Sequence, residues 1–203
     1  MLFMVLGNLA IIMPSLVLQQ FAGPAAPAAA ADVHDVDNLA AVDAKVWRGA
    51  APSSVGGYRS LAAAGVTTIV DLRAEPGLGV DTAALAADRV RYVPLPISDG
   101  QTPTPTQIAR FVQIVKDSPG TVFLHCGAGV GRTGSMAAAY LVATGQASGI
   151  GATMRNLSVG PPSLEQIAFS VRLAGDRAEH ANFAVVALSR LLDAPRRLWT
   201  VYG

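Results

Sequence analysis

The chain has a single cysteine, Cys126, among its 203 residues. That scarcity excludes an internal disulfide and any cysteine-based metal cluster. It also leaves no second thiol to pair with an oxidised Cys126. Charge is scarce too: 15 basic residues stand against 14 acidic ones, for a net charge of +1. So balanced a chain offers no electrostatic hold on nucleic acid or on an anionic membrane surface. No internal repeat and no Pro- or Ser-rich linker interrupts the chain after residue 31, so one catalytic domain is the natural count. Hydrophobic residues make up 51% of the chain, enough for a substantial core.

Two local absences are sharper. The first 31 residues carry no charged side chain. Residues 1–18 are almost wholly apolar, and a Pro- and Ala-rich stretch follows to Ala31 before polar chain starts at Asp32. An apolar core followed by small residues matches an export signal cleaved near Ala31. No Lys or Arg precedes the apolar run, which keeps an uncleaved anchor of marginal spanning length as the alternative. The expected organisation is a signal peptide or N-terminal anchor over 1–31, a catalytic domain over 32–175, and a C-terminal helical extension over 176–203 packed on it. The product is secreted or periplasmic, or held at a membrane through residues 1–18. The second absence is of acid, for no Asp or Glu lies between Asp117 and Glu165.

Between these landmarks the chain alternates. Strands are predicted over Val42–Arg48, Val66–Leu72, Arg91–Ile97 and Thr121–Leu124 from their β-branched and alternating runs. The prolines in Arg91–Ile97 place that strand near an edge. Helices are predicted over Val55–Ala64, Asp81–Arg89, Thr106–Asp117, Gly134–Thr144, Ile150–Leu157, Leu164–Leu173 and Ala178–Leu192. Such alternation implies an α/β fold with a mainly parallel central sheet flanked by helices.

The acid-free stretch contains the most informative run, His125-Cys126-Gly127-Ala128-Gly129-Val130-Gly131-Arg132-Thr133-Gly134, between a predicted strand and a predicted helix. Glycines let successive backbone N–H groups converge, and the following helix adds the positive end of its dipole. Arg132 can grip two phosphate oxygens with its planar fork. A thiol held in that field acts as a thiolate nucleophile. The loop therefore reads as a site for phosphoester cleavage through a phosphocysteine, with Gly127, Ala128, Gly129, Val130, Gly131 and Arg132 binding phosphate.

Rival loops fit less well. Residues 129–134 match G-x-G-x-x-G, but a dinucleotide site wants an acidic residue about 20 positions later, and none is there. A nucleoside-triphosphate loop wants Lys where Arg132 stands. A merely buried cysteine would not need an arginine and a helix start six positions on.

The run His125–Gly134 resembles the loop of the cysteine-dependent protein tyrosine phosphatases, including their dual-specificity branch. Tyr92–Pro103 is similar to the acid-bearing segment of phosphatases like the cyclin-dependent-kinase-associated one. Trp47-Arg48-Gly49 and Asp71-Leu72-Arg73 resemble elements of compact bacterial members. The resemblance implies a metal-independent phosphatase without cofactor, acting on a phosphorylated protein or a small phosphomonoester. It assigns Cys126 as nucleophile, Arg132 as phosphate binder and Asp99 as general acid, with Asp81 and Asp88 as fallbacks. Thr133 is expected to donate to the Cys126 sulfur; it also reads as a helix-capping threonine, and both roles can hold at once. His125 is expected to orient the loop, because its side chain points opposite to that of Cys126 along the strand. Gln166 either lies near the hydrolytic water or is an exposed helical glutamine. Arg73 is expected to pair with Asp71 or Glu75, and Arg155 to lie on a wet face. Loop residues 127–131 carry no cation, which tilts the substrate toward phosphotyrosine over polyanionic phosphates while leaving phosphoserine and phosphothreonine open. The alternatives are a phosphate-binding pseudo-phosphatase module and a sulfur-transferase loop. The latter usually has a shorter cysteine-to-arginine spacing. The sequence sets no oligomeric state.

Overall fold

Val66–Arg73 and Thr121–Cys126 are buried along nearly their whole length, and they lie side by side at the centre of the sheet. The computed structural model describes residues 26–75, 80–173 and 186–190, with 12–13 and 16–17. Five strands, β1 Ala40–Ala41, β2 Val46–Ala50, β3 Val66–Arg73, β4 Arg91–Ile97 and β5 Thr121–Cys126, run in the order β1-β2-β5-β3-β4. β2, β5, β3 and β4 are parallel, and only β1 is antiparallel to its neighbour. The expected mainly parallel α/β sheet is what the chain forms. β4 is an edge strand, and its two prolines, Pro94 and Pro96, sit at exposed positions where no partner strand needs an N–H.

Side chains alternate across this sheet, so each strand feeds two cores. Val46, Val70, Val122, Leu124 and Cys126 face one layer, packed with Phe111, Met136 and Phe169. Trp47, Ile69 and Phe123 face the other, with Leu61, Leu85 and Val90. The helices are α1 Val55–Ala63, α2 Thr82–Ala87, α3 Pro105–Asp117, α4 Gly131–Ala143, α5 Gly149–Leu157 and α6 Leu164–Val171. Side-chain oxygens start several of them. Ser54 and Ser148 cap α1 and α5, and Asp81 caps α2. Thr104 with Gln107 and Ser163 with Gln166 form full capping boxes on α3 and α6.

Several boundaries differ from expectation, three of them by the way the chain is bent or capped. In place of a single strand over Val42–Arg48, the chain forms β1 up to Ala41, a turn over residues 42–45, and β2 from Val46. Asp43 Oδ1 accepts from the N–H groups of Lys45 and Val46, at 2.9 and 2.7 Å, which bends the chain between them. Helix α2 is shorter than Asp81–Arg89, because Asp81 is its cap and Arg89 takes a left-handed φ of 58°. Helix α4 starts at Gly131 instead of Gly134, which puts Arg132 inside its first turn. Of the helix expected over Ala178–Leu192, residues 186–190 are described and helical, and the rest lies outside the described residues. Ser189 Oγ there accepts from the N–H of Glu165 at 3.1 Å. Among the described residues no helix is long and apolar enough to cross a membrane. Most of the leader, residues 1–31, lies outside them.

Candidate active site

Cys126 ends β5 opposite Ala50 of β2, and the chain then turns through residues 127–130 into α4. The turn is shaped from behind. Gly127 O accepts from Ala51 N at 2.9 Å, and Ala128 O from Asn38 Nδ2 at 2.9 Å. Gly129 O accepts from Arg48 Nη2 at 2.7 Å, and Val130 O from Gly134 N at 2.9 Å and Arg48 Nη2 at 3.2 Å. Gly131 O accepts from Ser135 Oγ at 3.1 Å. With successive carbonyls bound on one side, no carbonyl among the described residues accepts from the N–H groups of residues 127–130. An anion in front of Cys126 would supply these backbone donors with an acceptor. Gly129 permits the close approach. Its φ is +74°, and a Cβ there would lie 2.2 Å from Gly49 C and 2.4 Å from Ala50 N.

Arg132 is 6% exposed and already engaged. Its Nη1 donates to Glu75 Oε2 at 2.9 Å and to Ile97 O at 3.1 Å, and its Nη2 lies 3.4 Å from Asp99 Oδ1. Burial works against its charge, but the Glu75 hydrogen bond and the charges of Cys126 and Asp99 outweigh it and hold the guanidinium firmly protonated. Burial likewise opposes the charge on Glu75, and the Arg132 hydrogen bond holds its carboxyl below the usual range.

Asp99, more than half exposed, shares one small cleft with Cys126, Arg132, Pro161, Ser163 and Gln166. The fallback acids are used elsewhere. Asp81 caps α2, and Asp88 lies 4.0 Å from Arg59. Gln166 is only 2% exposed, so the exposed-glutamine alternative is corrected. Its Oε1 accepts from Ser163 N at 3.0 Å, and its Nε2 donates to Gln101 O at 3.1 Å. It thereby ties the start of α6 to the segment that carries Asp99. It also packs on the loop itself, for a Cβ at Gly131 would meet Gln166 Oε1 at 2.5 Å.

Thr133 is fully buried, and its Oγ1 has no hydrogen-bond partner among the described residues. Neither expected bond of Thr133 is made: its Oγ1 does not donate to Cys126 Sγ, and Val130 occupies the cap position of α4 without a side-chain bond. His125 is fully buried on the opposite face from Cys126, stacked on Phe123 with ring centroids 5.6 Å apart. Burial lowers its pKa to about 4, so the ring is neutral at physiological pH. Its Nδ1 lies 3.2 Å from Cys126 O and 3.8 Å from Asp71 Oδ1. Of the two partners foreseen for Arg73, Asp71 is the one taken, with Nη2–Oδ2 at 2.7 Å and both Nε contacts at 3.0 Å. Arg155 is exposed.

Sequence reasoning missed three residues: Glu75 as the partner of Arg132, and Arg48 with Asn156 behind the loop. The acid-free run around Cys126 was the available signal for Glu75. A loop arginine without local acids must draw its carboxylates from distant segments. Among the described residues no cluster of metal-ligating side chains forms.

A family model for the DSP-PTPase phosphatase fused to NAD+ kinase matches residues 27–172. The human dual specificity protein phosphatase CDC14C is 42% identical over 45 residues, covering 22% of this chain and 10% of that protein. The probable NAD kinase 2, chloroplastic, of Oryza sativa subsp. japonica is 35% identical over 96 residues, covering 44% and 10%. The chain thus spans about a tenth of the length of these curated relatives. Among solved structures, P. aeruginosa TpbA in complex with pTyr superposes with a TM-score of 0.54 at 21% identity, over 76% of this chain and 90% of that one. PTPMT1 in complex with PI(5)P superposes with a TM-score of 0.56 at 20% identity, over 79% and 99%. Both share the fold.

Proposed function

The chain belongs to the DSP-PTPase phosphatase family, and from that premise we propose that it hydrolyses phosphomonoesters through a phosphocysteine on Cys126. The observation that carries this reading is the arrangement of the loop. Its carbonyls are tied back, its N–H groups meet no acceptor among the described residues, and Cys126 and Arg132 line the same cleft.

In the first step the Cys126 thiolate attacks phosphorus while the loop N–H groups and Arg132 hold the equatorial oxygens. The P–O bond to the leaving group breaks, and that oxygen takes the proton of Asp99. In the second step water attacks phosphorus, the Asp99 carboxylate takes its proton, and the S–P bond breaks to release phosphate and thiolate. Gln166, buried against the cleft between Ser163 and Gln101, positions that water. Thr133, whose hydroxyl has no partner among the described residues, is assigned to assist departure of the sulfur once phosphate binds. Before phosphate can use both arms of the Arg132 fork, Glu75 must share or yield Nη1.

The preferred substrate is a phosphotyrosyl group, with phosphoserine and phosphothreonine as secondary ones. Residues 127–131 supply no cation for a second phosphate. The ligand in the TpbA complex is pTyr, in keeping with this choice. We further place the catalytic domain at 32–175, with the leader directing export or tethering and the last 28 residues forming the extension. Sequencing the N-terminus of the protein recovered from cell fractions tests the leader.

The deciding experiment is p-nitrophenyl phosphate hydrolysis by the full chain with EDTA present, beside Cys126→Ser and Asp99→Asn. Turnover abolished in the first and strongly reduced in the second supports the reading. A second reading, a phosphate-binding module without turnover, draws on the carboxylates of Glu75 and Asp99 at Arg132. Vanadate binding without turnover would favour it.

A further inference from the structure

Arg48 is the second buried guanidinium of the site, and no described carboxylate accompanies it. It stands in β2 opposite Leu124 and is 4% exposed. Its Nη2 donates to Gly129 O at 2.7 Å and Val130 O at 3.2 Å, and its Nη1 to Asn156 Oδ1 at 3.1 Å. Its Nε has no hydrogen-bond partner among the described residues. Behind it opens a cavity of about 510 Å³ walled by Ala41, Val42, Ala137, Ala138 and Leu141, which brings no counter-charge.

A buried cation surrounded only by neutral acceptors is costly, and side chains are rarely held so without a compensating anion. The anion that interacts with it is Cys126, whose charge raises the Arg48 pKa against the burial that lowers it to about 10. The charged groups around Cys126 are then Arg132 from α4 and Arg48 from β2, with Asp99 in the same cleft, Glu75 paired to Arg132, and His125 neutral on the other face of β5.

The geometry points to Arg48 as a positioning residue of the phosphatase loop. Its fork holds the Gly129 and Val130 carbonyls rearward, so that the neighbouring N–H groups face the phosphate. Arg48 touches neither substrate nor the reacting atoms. This inference rests on the phosphatase reading of the site.

The test compares wild type, Arg48→Lys and Arg48→Met in the full chain. Three quantities are read: thermal melting, kcat and KM on p-nitrophenyl phosphate, and the dissociation constant of vanadate. In Arg48→Met, kcat falls by about tenfold or more and vanadate binds about tenfold more weakly, because the loop N–H groups no longer converge. Arg48→Lys keeps the charge and loses the fork. It leaves kcat low and vanadate binding weak, because a point charge cannot hold both carbonyls. Wild-type kcat and wild-type vanadate affinity in a folded Arg48→Met would overturn the proposal. If Arg48→Met does not fold, Arg48→Lys decides: full kcat overturns the proposal, and low kcat with weakened vanadate binding supports it. An inactive wild type would instead defeat the phosphatase reading, and the vanadate arms read out independently of turnover.

Discussion

The front and the rear of the cysteine loop each hold one buried arginine, and the two are built on opposite principles. Arg132, in front, meets the carboxylates of Glu75 and Asp99, and its charge is reinforced. Arg48, behind, meets two backbone carbonyls and an amide oxygen, and burial weakens its hold on its proton. A group that must bind and release an anion benefits from mobile counter-ions, because exchanging one carboxylate for a phosphate costs little net charge. A group that must hold a shape benefits from neutral acceptors fixed in the backbone, which no ligand displaces. The same side chain thus serves exchange on one side and permanence on the other.

The comparison breaks most completely at Gly129, where front and rear share one residue. In Gly129→Ala the added Cβ falls 2.2 Å from Gly49 C at a φ of +74°, so the loop must leave β2. Turnover should be abolished and stability reduced by roughly 3 kcal/mol or more, read by thermal melting beside the p-nitrophenyl phosphate assay. Arg132→Lys breaks the front alone. We expect kcat/KM to fall on the order of 10²–10³-fold with melting nearly unchanged, since a point charge replaces a bidentate fork. Comparable retention of activity would show that the fork is not what grips phosphate.

The fully buried His125 tests the face of β5 turned away from the cleft. Its folded pKa of about 4 lies below the unfolded value near 6.5, so the unfolded chain binds the extra proton first as pH falls. Its contribution is full above about pH 6.5 and is lost progressively toward pH 4, about 3 kcal/mol in all. His125→Phe should flatten urea denaturation midpoints across that window. A midpoint that still climbs as steeply from pH 4 to 6.5 would assign the acid sensitivity elsewhere.

Asp99→Asn leaves both arginines in place and removes the proton donor. A loss of about 10²-fold in kcat is expected on p-nitrophenyl phosphate, with melting unchanged. The smallest effect belongs to Glu75→Gln. Freed of its counter-ion, Arg132 should bind vanadate a few-fold more tightly. The Glu75 carboxyl sits below its usual range, so its pairing adds stability above that range and loses it as pH falls. Because the group is 42% exposed, solvent screening holds the contribution under about 1 kcal/mol.

Much of this was legible in the residues. The β-branched run at Val66–Val70 and the alternation along Arg91–Ile97 announce strands because their periodicity is local. The spacing of Cys126, its five-residue loop and Arg132 announces an anion cradle because the loop builds it from its own backbone. The break at Asp43 escaped notice, since an aspartate that bends a chain by accepting two N–H groups looks in sequence like any exposed acid. Gln166 was equally ambiguous. Its helical position was readable, but which face of α6 meets the loop depends on how α6 packs.

By itself, then, the sequence determined the alternating strands and helices and the short run that sets Cys126 and Arg132 at the two ends of one glycine-rich loop. These depend on neighbours within about ten residues, where chain connectivity already sets geometry. Only the tertiary structure decided that Glu75 stands 57 residues from Arg132 in sequence yet 2.9 Å away in space, and that Arg48 reaches the loop 81 residues on. Parallel strands pair across long crossovers, so the ends of β2, β3 and β5 meet at one point that no local pattern records. What the chain brings to that point from afar is the charge its own loop lacks.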